Sequence, residues 1–297
     1  MKYNKFKGTG VAIVTPFLED DNIDFESLSK LVNHIITNNT DYIVALGTTA
    51  ETPTLTEEEK DKITAFVIRE NAGKLPVVVG MSSNNTLSLV NKIKKTDFTG
   101  IDAILSVCPY YNKPNQEGIF RHFESVSAVS PVPVIAYNVP GRTGGGINAQ
   151  TTIKMAKELK NIIGIKEASG NISQIMKIIE QKPDDFLVIS GDDALTLPVI
   201  ATGGVGVISV VANAFPCEVA TMVNYCLHND FESARPLHYK LLELVESLFA
   251  DGSPAGVKVA LETLGICKNI LRLPLTKVNE QLEEKIKRLT IKILSEK

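Results

Sequence analysis

Short apolar segments rich in β-branched residues recur along the chain, and longer segments of mixed polarity separate them. Most of the short segments are continuously apolar and do not alternate with polar residues. That pattern is typical of strands that are buried on both faces of a parallel sheet. The sequence therefore predicts eight strands, at residues 11–14, 42–46, 77–80, 103–107, 134–138, 162–166, 186–190 and 205–210.

The segments between these strands have the periodicity of amphipathic helices. One has apolar residues on a single face from Leu28 to Ile35 and follows Asp24, a suitable N-cap. Another begins with Thr56 and Glu59, which have the spacing of a capping box. The alternation of strands and helices predicts a (β/α)8 TIM barrel. An open, doubly wound sheet is the alternative, but no G-x-G-x-x-G motif follows the first strand.

The chain continues beyond the eighth predicted strand with helical patterns only. New helices are predicted to begin near Pro216, Phe231, Pro254 and Asn279. The first of these is the last helix of the barrel, and the others form a C-terminal helical extension. The sequence therefore predicts a barrel at residues 1–228 that carries the active site and an extension at 229–297.

Composition and charge narrow the classes of function. The chain has 297 residues and a net charge of -3, with dispersed basic residues, so neither a nucleic-acid-binding nor a polybasic membrane surface is expected. No apolar run has the length of a membrane span or a signal peptide, and a cytoplasmic location is expected. The four cysteines form no C-x-x-C pair and the four histidines are scattered. Neither a protein-bound metal nor another cofactor is expected.

Active sites of (β/α)8 barrels lie at the carboxyl ends of the strands, where the apolar runs end. Lys166 ends the sixth run, where partial desolvation would lower its pKa and free the amine as a nucleophile. Tyr137 lies near the end of the fifth run and could transfer protons. From position alone, a solvated loop lysine and a packed rim tyrosine are equally good interpretations.

Three further polar residues follow strand ends. Thr48 and Thr49 follow a glycine, and such a turn can hold a carboxylate, although ordinary turn chemistry is the simpler interpretation. Arg142 lies in a glycine-rich loop and could bind a carboxylate in bidentate geometry, or lie exposed at the surface.

Two other motifs favour a structural interpretation. The glycines at 203–206 resemble a phosphate-binding loop, but a tight turn with close packing is favoured. Asp192 and Asp193 could bind a cation, but capping of the following helix is favoured.

Taken together, the motifs resemble the dihydrodipicolinate synthase family in order and spacing, over essentially the whole chain. The motifs are GTTAETPTL at 47–55, CPYYNKP at 108–114, YNVPGRTG at 137–144, GIKEASGN at 164–171, SGDDAL at 190–195 and RLPLT at 272–276. The resemblance implies condensation of pyruvate with aspartate semialdehyde, a step of lysine and diaminopimelate synthesis that needs no cofactor.

The resemblance also implies roles for catalytic residues. Lys166 would form the Schiff base with pyruvate, and Tyr137 would donate and accept protons. Thr48 and Tyr111 would complete a proton relay with Tyr137. In the family, the tyrosine at the position of Tyr111 reaches in from a neighbouring subunit, which implies a homo-oligomer, usually a tetramer built as a dimer of dimers.

Substrate-binding residues follow from the same resemblance. Thr49 would hold the pyruvate carboxylate, with Ile208 and Gly191 also in the substrate site. Arg142 would bind the carboxylate of the aldehyde. N-acetylneuraminate lyases and keto-deoxy-sugar aldolases share the lysine and tyrosine, but the arginine and threonine after YNVPG favour the synthase. A catalytically silent scaffold would be expected to lose these residues, and a phosphosugar enzyme using the glycine loop would lack an acid–base pair.

The chain departs from the family pattern in two places. Ala50 replaces a usual glycine, so a backbone conformation open to both residues is expected there. The positions that bind inhibitory lysine in sensitive members correspond to Glu57, Lys60 and Ser88. Ser88 cannot pair with an incoming ammonium group and Lys60 would repel it, which predicts weak or absent feedback inhibition by lysine.

Overall fold

The computed structural model describes residues 3–296, which form a closed barrel of eight parallel strands in chain order. The predicted TIM-barrel fold is confirmed. The strands are β1 Gly8–Ala12, β2 Tyr42–Ala45, β3 Val77–Gly80, β4 Ala103–Val107, β5 Val134–Asn138, β6 Ile162–Glu167, β7 Leu187–Ser190 and β8 Gly206–Ser209.

The first strand begins three residues earlier than the predicted run, at a point where the barrel closes. Gly8 pairs in register with Gly206 of β8. A Cβ atom at Gly206 would lie 2.0 Å from the carbonyl oxygen of Gly8, and its φ is 149°. Glycine therefore allows the two backbones to approach and close the sheet.

Eight helices follow the eight strands, and a short helix is inserted after β5. They are α1 Phe25–Ile36, α2 Glu57–Asn71, α3 Thr86–Lys95, α4 Gln116–Val129, the short α5 Pro140–Thr143, α6 Ala149–Glu158, α7 Ile172–Gln181, α8 Thr196–Ala201 and α9 Pro216–Leu227. The predicted caps are confirmed: Asp24 accepts a hydrogen bond from the amide of Ser27, and Thr56 and Glu59 form a reciprocal capping box.

Three more helices follow the barrel, at the predicted starting points to within one residue. They are α10 Phe231–Phe249, α11 Ala255–Thr263 and α12 Glu280–Ser295. Helix α10 packs on α8 and α9, and α11 packs on the 3-10 helix Val211–Asn213 that follows β8. The division into a domain at 1–228 and an extension at 229–297 stays a prediction.

The buried apolar residues form two clusters, one outside the sheet and one within it. The outer cluster lies between the strands and the surrounding helices. The inner cluster fills the barrel and includes Tyr137 and Ile208. A filled barrel leaves the carboxyl ends of the strands as the place for a site. In the part of the chain that the structure describes, no helix is long and apolar enough to cross a membrane.

Candidate active site

Lys166 and Tyr137 lie side by side at the carboxyl ends of β6 and β5. The two residues are direct partners in the parallel register. The Nζ atom of Lys166 lies 4.5 Å from the centroid of the Tyr137 ring. Both side chains are buried, with exposed fractions of 5% and 6%. The pair therefore joins an amine and a phenol at the mouth of the barrel.

The amine of Lys166 is buried without a carboxylate partner. Among residues 3–296, no acidic side chain lies within ion-pair distance of its Nζ atom. Gly191 leaves room beside it, because a Cβ atom at that position would lie 3.0 Å from Cε of Lys166. An amine that is not held in an ion pair can attack the carbonyl carbon of a bound substrate.

The turn after β2 contains Thr48 and Thr49 in a 3-10 helix, Thr48–Ala50. The amide groups of both threonines donate no hydrogen bond among the residues described. Thr49 is buried, with 5% of its surface exposed. Unpaired amide donors and hydroxyl groups in such a turn can hold a carboxylate.

The backbone around this turn explains how Ala50 is accommodated. Leu46 and Glu51 have φ values of 53° and 55°, whereas Ala50 does not have a positive φ. The left-handed conformation falls on either side of Ala50, so alanine fits without strain, as expected from the sequence.

A cavity of about 600 Å³ joins the turn to the tyrosine. Thr48 and Tyr137 line it together with Tyr110, and it extends outward to Lys60 and Ser88. Gly80 is also in its wall, and a Cβ atom there would lie 1.9 Å from the carbonyl oxygen of Leu46. The cavity is large enough for a small organic acid beside the strand ends.

Tyr111 and Arg142 lie away from this buried group within the single chain. Tyr111 has a φ of 73° and an exposed fraction of 88%. Its amide donates to the carbonyl of Thr143 at 3.3 Å, which ties it to the loop that carries Arg142. Arg142 lies exposed in α5, and no acidic side chain among residues 3–296 is within ion-pair distance of it.

A buried carboxylate that the sequence did not single out connects the ends of β5 and β6. Glu167 is 1% exposed and accepts hydrogen bonds from Asn138 Nδ2 at 3.0 and 3.1 Å, from the amide of Ser169 at 2.8 Å and from Gln174 Nε2 at 3.1 Å. Asn138 in turn accepts from the amide of Ile147 at 2.9 Å. This network fixes the strand ends next to Lys166 and Tyr137.

The expected capping of the following helix by Asp192 or Asp193 is wrong, because α8 has no side-chain cap. Asp193 instead lies buried. Its Oδ2 atom accepts hydrogen bonds from the amides of Val210 and Val211, at 2.9 and 3.1 Å, and so binds the end of β8. Burial raises the pKa of this carboxyl group. Asp192 accepts from the amide of Ala194 at 2.9 Å, in the turn before α8.

The glycine segment at 203–206 is a tight turn, as the sequence favoured. Gly203 has a φ of 109°, and a Cβ atom at Gly204 would lie 2.8 Å from the carbonyl oxygen of Val199. Among the described residues, no cluster of three or more His, Cys, Asp or Glu side chains could hold a metal ion.

A closed parallel barrel with a buried lysine and tyrosine paired at its mouth places this protein among the TIM-barrel enzymes. The model of the dihydrodipicolinate synthetase family matches residues 5–293. The chain belongs to this family, whose members are lyases.

Individual relatives agree with this assignment along nearly the whole chain. The 4-hydroxy-tetrahydrodipicolinate synthase of Parabacteroides distasonis is 51% identical over 290 residues, covering 96% of this chain and 98% of the relative. The crystal structure of dihydrodipicolinate synthase from Aquifex aeolicus is 40% identical with a TM-score of 0.93, covering 97% and 98% of the two chains. The enzyme of Acinetobacter baumannii, solved in complex with pyruvate, is 37% identical with a TM-score of 0.93, covering 97% and 99%.

Proposed function

We propose that this protein condenses pyruvate with L-aspartate 4-semialdehyde to give 4-hydroxy-tetrahydrodipicolinate, a step of lysine and diaminopimelate biosynthesis. The observation that carries this proposal is the pairing of Lys166 with Tyr137 at the barrel mouth, in a chain that is 51% identical to a synthase of that name. The pyruvate complex of the Acinetobacter baumannii relative supports the choice of the first substrate.

The amine of Lys166 starts the reaction by adding to the ketone carbon of pyruvate. Loss of water from the carbinolamine gives an imine, which makes the methyl group acidic, and loss of a methyl proton gives an enamine. The enamine attacks the aldehyde carbon and forms the new carbon–carbon bond. The amino group of the second substrate then displaces Lys166 as the ring closes, and the free lysine is regenerated.

Each of these steps moves protons, and the hydroxyl group of Tyr137 is the donor and acceptor next to Lys166. Thr48 lines the same cavity and passes protons to Tyr137. Tyr111 completes the relay from a second copy of the chain. Its exposed fraction of 88% leaves the side chain free to enter a neighbouring site, and its φ of 73° is the kind of strained backbone that is found at functional sites.

The assembly required by this relay is at least a dimer, and we propose a tetramer built as a dimer of dimers. Each subunit then supplies Tyr111 to the site of its neighbour. The four free cysteines support a reducing, cytoplasmic location.

Substrate binding uses residues around the same mouth. Thr49 binds the pyruvate carboxylate through its hydroxyl and the unpaired amides of the turn. Ile208 provides an apolar wall from β8, and Gly191 keeps space beside Lys166. Arg142 binds the carboxylate of the aldehyde substrate, for which its exposed guanidinium group is available.

The proposal is tested by turnover of purified protein with both substrates, coupled to the NADPH-dependent reductase that consumes the product. Robust turnover is expected. A pyruvate adduct that borohydride traps on Lys166, without synthase turnover, would move the protein to the N-acetylneuraminate lyases or keto-deoxy-sugar aldolases, which the relatives do not favour. Absence of both turnover and adduct would refute the proposal.

A further inference from the structure

A fully buried ion pair joins the C-terminal extension to the turn that carries Thr48 and Thr49. The Nζ atom of Lys258, in α11, lies 2.5 Å from Oε1 of Glu51, and both side chains have exposed fractions of 0%. The two residues are 207 positions apart in the chain. The contact therefore bridges a helix of the extension and the strand-end turn of the barrel.

Every oxygen of the Glu51 carboxylate has a partner from the extension. The second oxygen, Oε2, accepts a hydrogen bond from the amide of Arg272 at 3.2 Å. Lys258 also donates to the carbonyl oxygen of Ile270 at 2.6 Å, and its Nζ atom lies 4.4 Å from the centroid of the Phe17 ring. Glu51 is therefore held in one position by groups that are themselves fixed.

Glu51 is also the residue at which the backbone leaves the turn. It caps the 3-10 helix Thr48–Ala50 with a φ of 55° and a ψ of 34°, and its amide donates to the carbonyl oxygen of Thr48 at 3.1 Å. A left-handed glutamate is uncommon, and the surrounding contacts must maintain it. The same turn is held from the other side by Thr15, whose hydroxyl donates to the carbonyl oxygen of Ala50 at 2.8 Å.

Stability alone does not account for this arrangement. Burying two charges is costly, and well-packed apolar residues of similar volume often stabilise a fold as well or better. A buried pair is best understood where it selects one geometry of the backbone or of its neighbours. The backbone fixed here belongs to the proposed substrate-binding turn.

We propose that the Glu51–Lys258 pair has a positioning role and holds the Thr48–Thr49 turn in a fixed place relative to Lys166 and Tyr137. Through it, the C-terminal extension controls turnover without contributing a group that touches substrate. The inference rests on the proposed function, because it assigns the turn to pyruvate binding and proton relay. Small displacements of positioned groups reduce rates by about 100-fold, so the effect of losing the pair is large enough to measure.

The test compares Glu51→Gln, Lys258→Met and the double variant with Val259→Ala. Val259 is fully buried in α11 next to Lys258, so its truncation destabilises the same helix and leaves the ion pair in place. The measurements are kcat, KM for pyruvate, the rate of borohydride trapping of pyruvate and the thermal midpoint. Each single variant of the pair is expected to lose about 10- to 100-fold in kcat and to raise KM for pyruvate.

The double variant is expected to lose no more than the worse single variant, because the two residues act as one unit. Val259→Ala is expected to lower the thermal midpoint and keep kcat within about twofold, since Thr48 and Thr49 stay in place. Equal loss of kcat in Val259→Ala at a matched midpoint would overturn the proposal. Wild-type kcat and KM in folded Glu51→Gln would overturn it as well.

Thr15→Val provides a milder variant if the charged substitutions prevent folding. It removes the hydrogen bond to Ala50 with little change in shape, and a several-fold loss of kcat with a raised KM for pyruvate is expected. Because Thr15→Val keeps the Glu51–Lys258 pair, a loss of kcat of more than about 100-fold would assign the positioning to Thr15 and contradict the proposal. Absence of a pyruvate adduct in the wild type would instead refute the proposed function, so the two failures are distinguishable.

Discussion

Two buried lysines in this molecule lie at nearly the same distance from an aromatic ring and differ in their charged partners. Lys166 and Lys258 lie 4.5 and 4.4 Å from the centroids of the Tyr137 and Phe17 rings. Their exposed fractions are 5% and 0%. Lys258 has a carboxylate and a backbone carbonyl as partners, whereas Lys166 has no acidic partner among residues 3–296.

The difference shows that burial alone does not assign a lysine to chemistry. The amine of Lys258 is held by Glu51 and Ile270 and connects α11 to the turn, while burial lowers its pKa. The amine of Lys166 lies beside a phenol, with space left by Gly191, which is the arrangement that the proposed reaction requires. The partners of the amine distinguish the two roles, and the following variants test that distinction.

Lys166→Arg should have the largest effect on activity, because it keeps a long basic side chain and removes the proposed nucleophile. Turnover is expected to fall by more than about 10³-fold, and borohydride should trap no pyruvate on the protein. The exposed Lys157→Arg is the control and should retain full activity. Mass spectrometry of the wild type should locate the adduct at Lys166; an adduct at Lys258 would reverse the assignment of the two lysines.

The fold was largely predictable because its signal is local and repeated. The predicted runs at 77–80, 103–107 and 134–138 coincide with β3, β4 and β5, and the other strands differ by at most three residues at either end. Strands buried on both faces need continuous apolar sequence, which no surface helix shows. The start of β1 differs from the prediction by three residues, because the close approach of Gly8 to Gly206, and not hydrophobicity, defines it.

The candidate site was predictable only where its residues end strands. The sequence indicated Lys166, Tyr137 and Thr48, and the structure brings them to one mouth. The Glu51–Lys258 contact spans 207 positions and has no local pattern. A single lysine within the apolar stretch of α11 was the one available signal, because a buried charge needs a partner.

The hydrogen-bond partners of Asp193 and Glu167 could not be predicted from the sequence either, since they depend on which strand ends meet in space. Asp193 binds the amides after β8, and Glu167 joins Asn138 of β5 to Gln174 of α7. Tyr111 is a different case, because its proposed role involves a second copy of the chain. A local sequence pattern contains neither kind of contact.

Tyr137→Phe should have the next largest effect, since it keeps the ring beside Lys166 and removes the hydroxyl. Turnover is expected to fall by about 10²- to 10⁴-fold, the range for loss of a general acid or base. Borohydride trapping of pyruvate should slow but persist. Tyr110→Phe is the matched control, because Tyr110 lines the same cavity. Equal losses in both variants would indicate a change in cavity shape and not in proton transfer.

The free energy of unfolding should depend more on Lys258 than on Lys166, which is the reverse of the order expected for activity. Lys258→Met leaves Glu51 buried without its cation and is expected to lower the free energy of unfolding by about 3–5 kcal/mol. Lys166→Met removes a buried amine that has no acidic partner, so its stability should be unchanged or higher by up to about 2 kcal/mol. Urea titrations of both variants and the wild type measure the free energy of unfolding. A similar loss in both variants would show that the two lysines do not differ in their contribution to stability.

A second ion pair, between Arg272 and Glu59, predicts how low pH affects the contact between the extension and the barrel. Arg272 donates hydrogen bonds to Glu59, which lower the pKa of that carboxyl group to about 2 from 4.5. Because the pKa is lower in the folded state, this stabilisation is complete above pH 4.5 and is lost as the pH falls toward 2. Side-chain exposures of 15% and 22% reduce the expected contribution to about 1–2 kcal/mol.

Glu59→Gln should remove that part of the acid sensitivity and keep the capping geometry with Thr56. The measurement is the urea midpoint of wild type and variant at several pH values between 5 and 2. Glu117→Gln, in the exposed pair with Arg121, is the control and should follow the wild type. Parallel curves for wild type and Glu59→Gln would assign the acid response to other carboxylates.

The smallest expected effect is that of added lysine on turnover. Glu57 is the carboxylate at the outer end of the cavity, and it already pairs with Lys60 at 2.7 Å and Lys92 at 2.5 Å. An incoming lysine would have to displace one of these ammonium groups, and Ser88 offers it no compensating charge. A ligand that gains no differential interaction shifts no equilibrium, so millimolar lysine should change the rate by less than about twofold. Inhibition at that concentration, in assays with ionic strength held constant, would show that the chain's own lysines do not occupy the place of the effector.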